Sequence, residues 1–196
     1  MDKETLIKHC QLGDMSSFSE LYKLYSKPAL GTAYLISGNK GIAEDIVHEA
    51  FIQCFQSIKS LKNIETFDVW FYKVVTRTGW RIVKKHKHTL MFEDTEAEDS
   101  IIDYSALREL NFCEAKLDIN ESLAKLSLPL RTVIVLYYFN DMNIKEISKV
   151  LGCFEGTVKS RLHNGKKQLR QIIEEDINDN IFKTEYVRKE CLSDGE

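Results

Sequence analysis

Residues 143–162 read NIKEISKVLGCFEGTVKSRL, and few local patterns restrict a chain so tightly. Asn143 stands where a helix N-cap belongs, with Glu146 three residues on to complete a capping box. Ser148 is small at the point where a second helix would cross the first. Gly152, four residues later, falls where the chain must turn sharply and a positive φ strains glycine least. Val158, six residues further, is the apolar plug that seats the second helix on the first. Small, glycine and apolar residues at these offsets specify a helix-turn-helix.

The second helix sorts its side chains by face. Val158, Leu162, Gly165, Leu169 and Ile172 face inward at helical spacing. Lys159, Ser160, His163, Asn164, Lys167 and Arg170 face outward, flanked by Thr157, Arg161 and Lys166. From Thr157 to Arg170 there are five Lys/Arg and no acid, although the chain of 196 residues carries a net charge of -3. An α-helix fits the major groove, where Lys, Arg, Asn and Ser donate to base edges and phosphates. The concentration of cations has a reason if this helix meets a polyanion and the rest of the protein does not.

The same segregation marks the rest of the chain. Lys73 to His88 holds six Lys/Arg and no acid; Glu93 to Asp103 holds six acids and no base. The acidic stretch has no helical stripe and reads as a linker. With two prolines, nine glycines and 43% hydrophobic residues, the composition favours helix. The expected fold is therefore all-α: two small helical domains joined by an acidic linker, the second a helix-turn-helix domain. The expected boundaries are 1–88, 89–115 for the linker, 116–178, and a tail at 179–196. RTVIVLYYF, from Arg131, is β-branched and aromatic and would suit a strand by propensity. Flanking helices and the lack of a partner strand make it a buried helix, with Pro129 in its first turn.

In the first domain, Ser17 and Glu20 have capping-box spacing and open a helix. A second helix carries Ile42, Ile46, Val47, Ala50, Phe51, Cys54, Phe55 and Ile58 on one face and Glu44, Asp45, His48, Glu49, Gln53 and Gln56 on the other. A third starts after Thr66 as N-cap, with Asp68 favoured by the helix dipole. Phe67, Trp70, Phe71, Val74, Thr78 and Ile82 form its inner stripe; Lys73, Arg77, Trp80, Arg81 and Lys84 gather opposite. An indole among cations can stack on an unpaired base, and nucleic-acid contact is the preferred reading of Trp80 over packing under a loop or the other domain.

Nothing points to catalysis: no GxSxG, HExxH or phosphate-binding glycine loop occurs. The five cysteines are scattered without a CxxC pair and are expected to be unpaired thiols. His86 and His88 lie in a basic run and make a poor metal site. No catalytic residue, metal, cofactor or small-molecule substrate is expected. No signal peptide or apolar run of about 20 residues is present, which places the protein in the cytoplasm.

Three segments together, AEDIVHEAFIQCFQSI, FDVWFYKVVTRTGWRIVKK and the stretch from Leu128 to Arg170, resemble the extracytoplasmic-function (ECF) sigma factors of bacterial RNA polymerase. The resemblance covers both domains in order, and leaves the linker and the chain beyond about Asn178 uncovered. It implies that Asp45, His48, Glu49 and Gln53 dock on the clamp of core RNA polymerase. It implies that the following helix (Lys73, Arg77, Trp80, Arg81, Lys84) and the loop before it (Lys62, Asn63) read and open the minus-ten element of promoter DNA. The helix-turn-helix, through Thr157, Lys159, Ser160, Arg161, His163, Asn164 and Lys167, would read the minus-35 element. The acidic linker would thread the polymerase channels, and an anti-sigma factor would be a further partner. The family commonly has Gln where His48 stands, Ala at Ser148, Asn near Arg77 and an aliphatic residue at Trp80, departures that bear on promoter sequence rather than role.

Two rival readings use fewer of these features. A dimeric helix-turn-helix regulator explains residues 143–170 but not the basic stripe or the acidic face of the first domain. An enzyme acting on nucleic acid would need clustered carboxylates for metal.

Overall fold

The computed structural model describes the backbone of residues 2–90 and 117–193 and the side chains of residues 2–86 and 119–175. The expected acidic linker, Cys113, and the side chains of His88 and Cys191 lie outside them. All the regular secondary structure of the described residues is helical, with no strand among them. In order they form α1 (Lys3–Leu12), α2 (Met15–Ser37), α3 (Lys40–Ser57), two 3-10 turns (Ile58–Ser60 and Ile64–Thr66), α4 (Phe67–Leu90), α5 (Leu117–Lys125), α6 (Leu128–Tyr138), α7 (Ile144–Leu151) and α8 (Glu155–Ser193).

Short polar side chains set the helix starts. Asp2, Asp14, Asn39 and Asn143 each accept a backbone N–H in the first turn of α1, α2, α3 and α7. At α2 this corrects the sequence expectation. The cap is Asp14, not Ser17: Ser17 lies inside the helix, 2% exposed, and its hydroxyl donates to Asp14 Oδ2 at 2.5 Å. A carboxylate three residues upstream satisfies the free N–H groups before serine can. Thr66 precedes α4 as expected, but its hydroxyl donates back to Asn63 O at 2.7 Å. Pro28 lies inside α2 and deletes one intrahelical hydrogen bond. RTVIVLYYF is helical, with Pro129 in the first turn of α6 and Val133 to Leu136 all buried. Packing on several sides overrides the β propensity.

The first core joins α1 to α4. Phe67 and Phe71 of α4 are 1% and 0% exposed and meet Tyr25 edge-on, with ring centroids 5.2 and 5.3 Å away. Each such ring contributes roughly 1.5–3 kcal/mol by leaving water. Asp68 ties the bundle's ends together, accepting from the Tyr25 hydroxyl and pairing with Lys3 Nζ at 2.5 Å.

The second core joins α5 to α8, and it does not stop at its own domain. Tyr72 of α4 is one of its buried members, and Leu35 of α2 and Val69 of α4 pack on it. The two helical units, expected as modules on a tether, are packed against each other through α2 and α4 on one side and α5, α6 and α7 on the other. The last helix, α8, runs on to Ser193.

Candidate nucleic-acid interface

The turn in front of α8 is built as the sequence requires. Asn143 Oδ1 accepts from Glu146 N at 3.0 Å, and Glu146 Oε2 accepts from Asn143 N at 2.8 Å. Gly152 ends α7 at φ 64°, its N–H returning to Ser148 O. Val158 is 0% exposed and Leu162 6%. Gly165 lets α8 approach α6 closely, since a Cβ there would sit 3.1 Å from Ile134 Cγ1.

With that face buried, the opposite one is presented. Lys159, Ser160, His163, Asn164 and Lys167 are exposed, as are Lys166 and Arg170; Thr157 and Arg161 are half-buried at the margins. Among the described residues no carboxylate pairs with these cations. The sequence reading missed Phe154. It is 88% exposed immediately before α8, and its carbonyl accepts from Thr157 N and Val158 N. It thus occupies the N-cap position with a side chain that cannot cap. The missing cap was the available signal.

The α4 candidates divide. Arg77, Arg81 and Lys84 are exposed and Lys73 is half-buried. Arg81 is committed to an ion pair with Glu49 of α3, which also accepts from Gln53 Nε2 at 3.1 Å. The hydrogen bond from Arg81 holds the Glu49 carboxyl below its ordinary value and raises that of Arg81. One residue assigned to DNA therefore partners one assigned to polymerase. Trp80 is the larger departure. Its ring is half-buried, its Nε1 donates to Thr132 Oγ1 of α6 at 2.9 Å, and Lys84 Nζ lies 5.8 Å from the ring centroid. In this arrangement the indole faces the second helical unit, not a free strand. Lys62 and Asn63 are exposed in the loop between the 3-10 turns; Asn63 Oδ1 is already used, accepting from Glu65 N at 3.0 Å. Asp45 and His48 are exposed and Glu49 and Gln53 half-exposed on one face of α3.

Among the described residues no group of three His, Cys, Asp or Glu is placed to hold a metal ion. Cys10 and Cys54 are buried free thiols, and burial pushes the Cys54 thiol up to about 12. No described helix is long and apolar enough to cross a membrane.

Residues 21–89 match the family Sigma-70 region 2, and residues 116–169 match Sigma-70, region 4. The ECF RNA polymerase sigma factor SigW of Bacillus subtilis is 30% identical over 174 residues, spanning 84% of this chain and 93% of that protein. The chain belongs to the ECF RNA polymerase sigma factors. The RNA polymerase sigma factor SigV of the same organism is 31% identical over 141 residues, 71% of this chain and 81% of its own.

Two solved structures share the ECF sigma fold described above. CnrH, in complex with the cytosolic domain of CnrY, superposes with a TM-score of 0.67 at 16% identity, covering 89% of this chain and 98% of that one. RpoE of Bartonella quintana, in complex with the anti-sigma factor NepR, gives 0.68 at 20% identity over 82% and 98%. Membership in the ECF sigma factors makes the chain a transcription initiation factor. It also decides against the dimeric regulator, which accounts for region 4 alone.

Proposed function

We propose that the chain divides promoter recognition between its two units while core RNA polymerase holds the first. The observation that carries this is the solvent-facing row on α8, Lys159, Ser160, His163, Asn164 and Lys167, behind a capped turn whose inner face is fully used. Thr157 and Arg161 flank the row, and it would lie in the major groove of the minus-35 element. Phe154 adds an apolar ring at its leading end, chemistry that suits a thymine methyl. The minus-ten element falls to Lys62, Asn63, Lys73, Arg77, Arg81 and Lys84, joined by Trp80 once it is released from Thr132. Asp45, His48, Glu49 and Gln53 form the polymerase face of α3. The functional units are 1–88 and 116–178, and the acidic residues of 89–115 are matched by charge to channels that carry nucleic acid.

Melting supports a dependence on polymerase. Opening duplex costs on the order of 1.4 kcal/mol per stacked step, more than a few exposed cations offset. The free protein therefore binds duplex weakly and with steep salt dependence. It works in the cytoplasm, has no enzymatic step of its own, and takes an anti-sigma factor as a further partner, as RpoE of similar fold does. Run-off transcription with purified core polymerase, followed by sequencing of transcript starts, tests this. We expect initiation at a defined promoter set only when the chain is added. Nanomolar, sequence-specific duplex binding without polymerase would overturn it.

A further inference from the structure

The loop that carries Lys62 and Asn63 has little of its own to hold it. It runs from Leu61 to Asn63 between two 3-10 turns, Ile58–Ser60 and Ile64–Thr66. Turns this short have poor hydrogen-bond geometry and few bonds. Asn63 secures the downstream end locally. Its side chain accepts from Glu65 N, and its carbonyl accepts from Thr66 N at 3.2 Å and from the Thr66 hydroxyl at 2.7 Å. Upstream, the turn closes with a bond from Leu61 N to Ile58 O at 3.1 Å, and further support arrives from a distant part of the chain.

That support is Gln11, in the last turn of α1. Gln11 Nε2 donates to Ile58 O at 3.0 Å and to Leu61 O at 2.8 Å. Both N–H donors of one amide are thereby used. One lies on the first residue of the upstream turn, the other on the carbonyl that adjoins Lys62. The amide spans the turn and fixes the distance between its ends. These partners are 47 and 50 positions away in sequence, so neither bond follows from the path of the loop itself.

α1 is firmly placed. Leu6, Ile7 and Cys10 are buried in the first core, and Gln11 lies one turn beyond Ile7 on the same side. Lys3 ties the other end of the helix to Asp68 in the first turn of α4, and Asp68 also takes the Tyr25 hydroxyl. The helix therefore braces the segment from Ile58 to Asp68 at both ends, with the loop between its two anchors. α1 precedes residues 21–89, the part of the chain that matches Sigma-70 region 2.

The demand on such a loop is geometric. An unpaired base is read through hydrogen bonds to its Watson–Crick edge. Side chains discriminate such edges only when held within about 0.5 Å of the productive position. Lys62 and Asn63 are exposed, so the backbone beneath them has to supply that precision.

We propose that Gln11 is a positioning residue for minus-ten recognition: by clamping the carbonyls of Ile58 and Leu61 it holds the loop in the shape with which Lys62 and Asn63 discriminate an unpaired base. This rests on the assignment of that loop to the minus-ten element above. Gln11 acts through the loop and not on DNA. Its loss therefore costs selectivity among bases, while the polymerase face of α3 is left intact.

Gln11→Met is the probe, since methionine keeps the length and flexibility of the side chain but has no donor. Asp2→Ala is the comparison. It removes the N-cap of α1, which accepts from Thr5 N at 2.9 Å, and so weakens the same helix at the end away from the loop. Full-length wild type, both variants and the double variant Lys62→Ala, Asn63→Ala would each be assembled with core polymerase. The probes are labelled single-stranded oligonucleotides of the non-template minus-ten sequence read from mapped transcript starts, with each of the four bases in turn at every position. We expect Gln11→Met to lower the ratio of affinities for the best and worst base at one position by at least about threefold. Its affinity for core should match wild type, and amide exchange across residues 58–66 should rise. Asp2→Ala should keep the wild-type ratio. Unchanged discrimination in Gln11→Met, or an equal loss in Asp2→Ala, would overturn the clamp. Discrimination that survives the double variant would instead overturn the loop assignment beneath it.

Discussion

Asp14 shows what one side chain decides. It accepts from the backbone N–H groups of Ser16 and Ser17 and from both hydroxyls. Those bonds, led by the Ser17 hydroxyl, lower its carboxyl from 3.8 to about 2. A depressed carboxyl favours the folded state fully above its unfolded value, and the benefit is lost as pH falls through the folded one. The start of α2 should therefore loosen between about pH 4 and pH 2. Asparagine caps as well as aspartate but does not titrate. In Asp14→Asn, amide exchange at Ser16 and Ser17 should lack the acid-dependent rise that wild type shows in this window. The cap itself was misplaced from sequence because Ser17 and Glu20 have the right spacing. Spacing cannot say which of two nearby oxygens reaches the free N–H groups first.

At the scale of the element, the α7–turn–α8 unit follows its sequence closely. Asn143, Gly152 and Val158 do what their types and offsets require, because caps and left-handed turns are local and depend on few distant contacts. Gly152 isolates the backbone effect: at φ 64° a Cβ would meet nothing within 4 Å. Gly152→Ala should cost about 1–2 kcal/mol through the left-handed backbone alone, and Gly152→Asn less, as thermal or urea unfolding would show. Gly165 offers the contrast. There an added methyl meets Ile134 of α6, so packing and not φ sets the penalty. Phe154 escaped notice because a sequence pattern records the residues that build a turn, not the cap that is missing from it.

For the whole molecule, the placement of Trp80 is the main lesson. The spacing separated its face of α4 from the inner stripe and favoured an indole open to nucleic acid over one packed beneath the second unit. In the structure its Nε1 donates to Thr132, which packs the indole against the second unit. Because the packing between the two units leaves Arg131 Nε and Asn140 Oδ1 buried without a partner among the described residues, it should part before the cores unfold. In a Trp70→Phe background, the Trp80 emission should red-shift at a lower urea concentration than the loss of far-UV helicity; coincident transitions would show one cooperative unit.

The sequence by itself determined the all-helical character, the helix-turn-helix, the cationic row on α8 and the family. The first three depend on periodicity, capping and charge within a few turns of chain, while the family was legible only through the resemblance of three motifs to the ECF sigma factors. Only the tertiary structure decided that the two units share a core, that Arg81 answers Glu49 and that Phe139 rests on Gly31. Those contacts join residues 32 to 108 positions apart, and no local period carries information about which distant surface a helix face will meet.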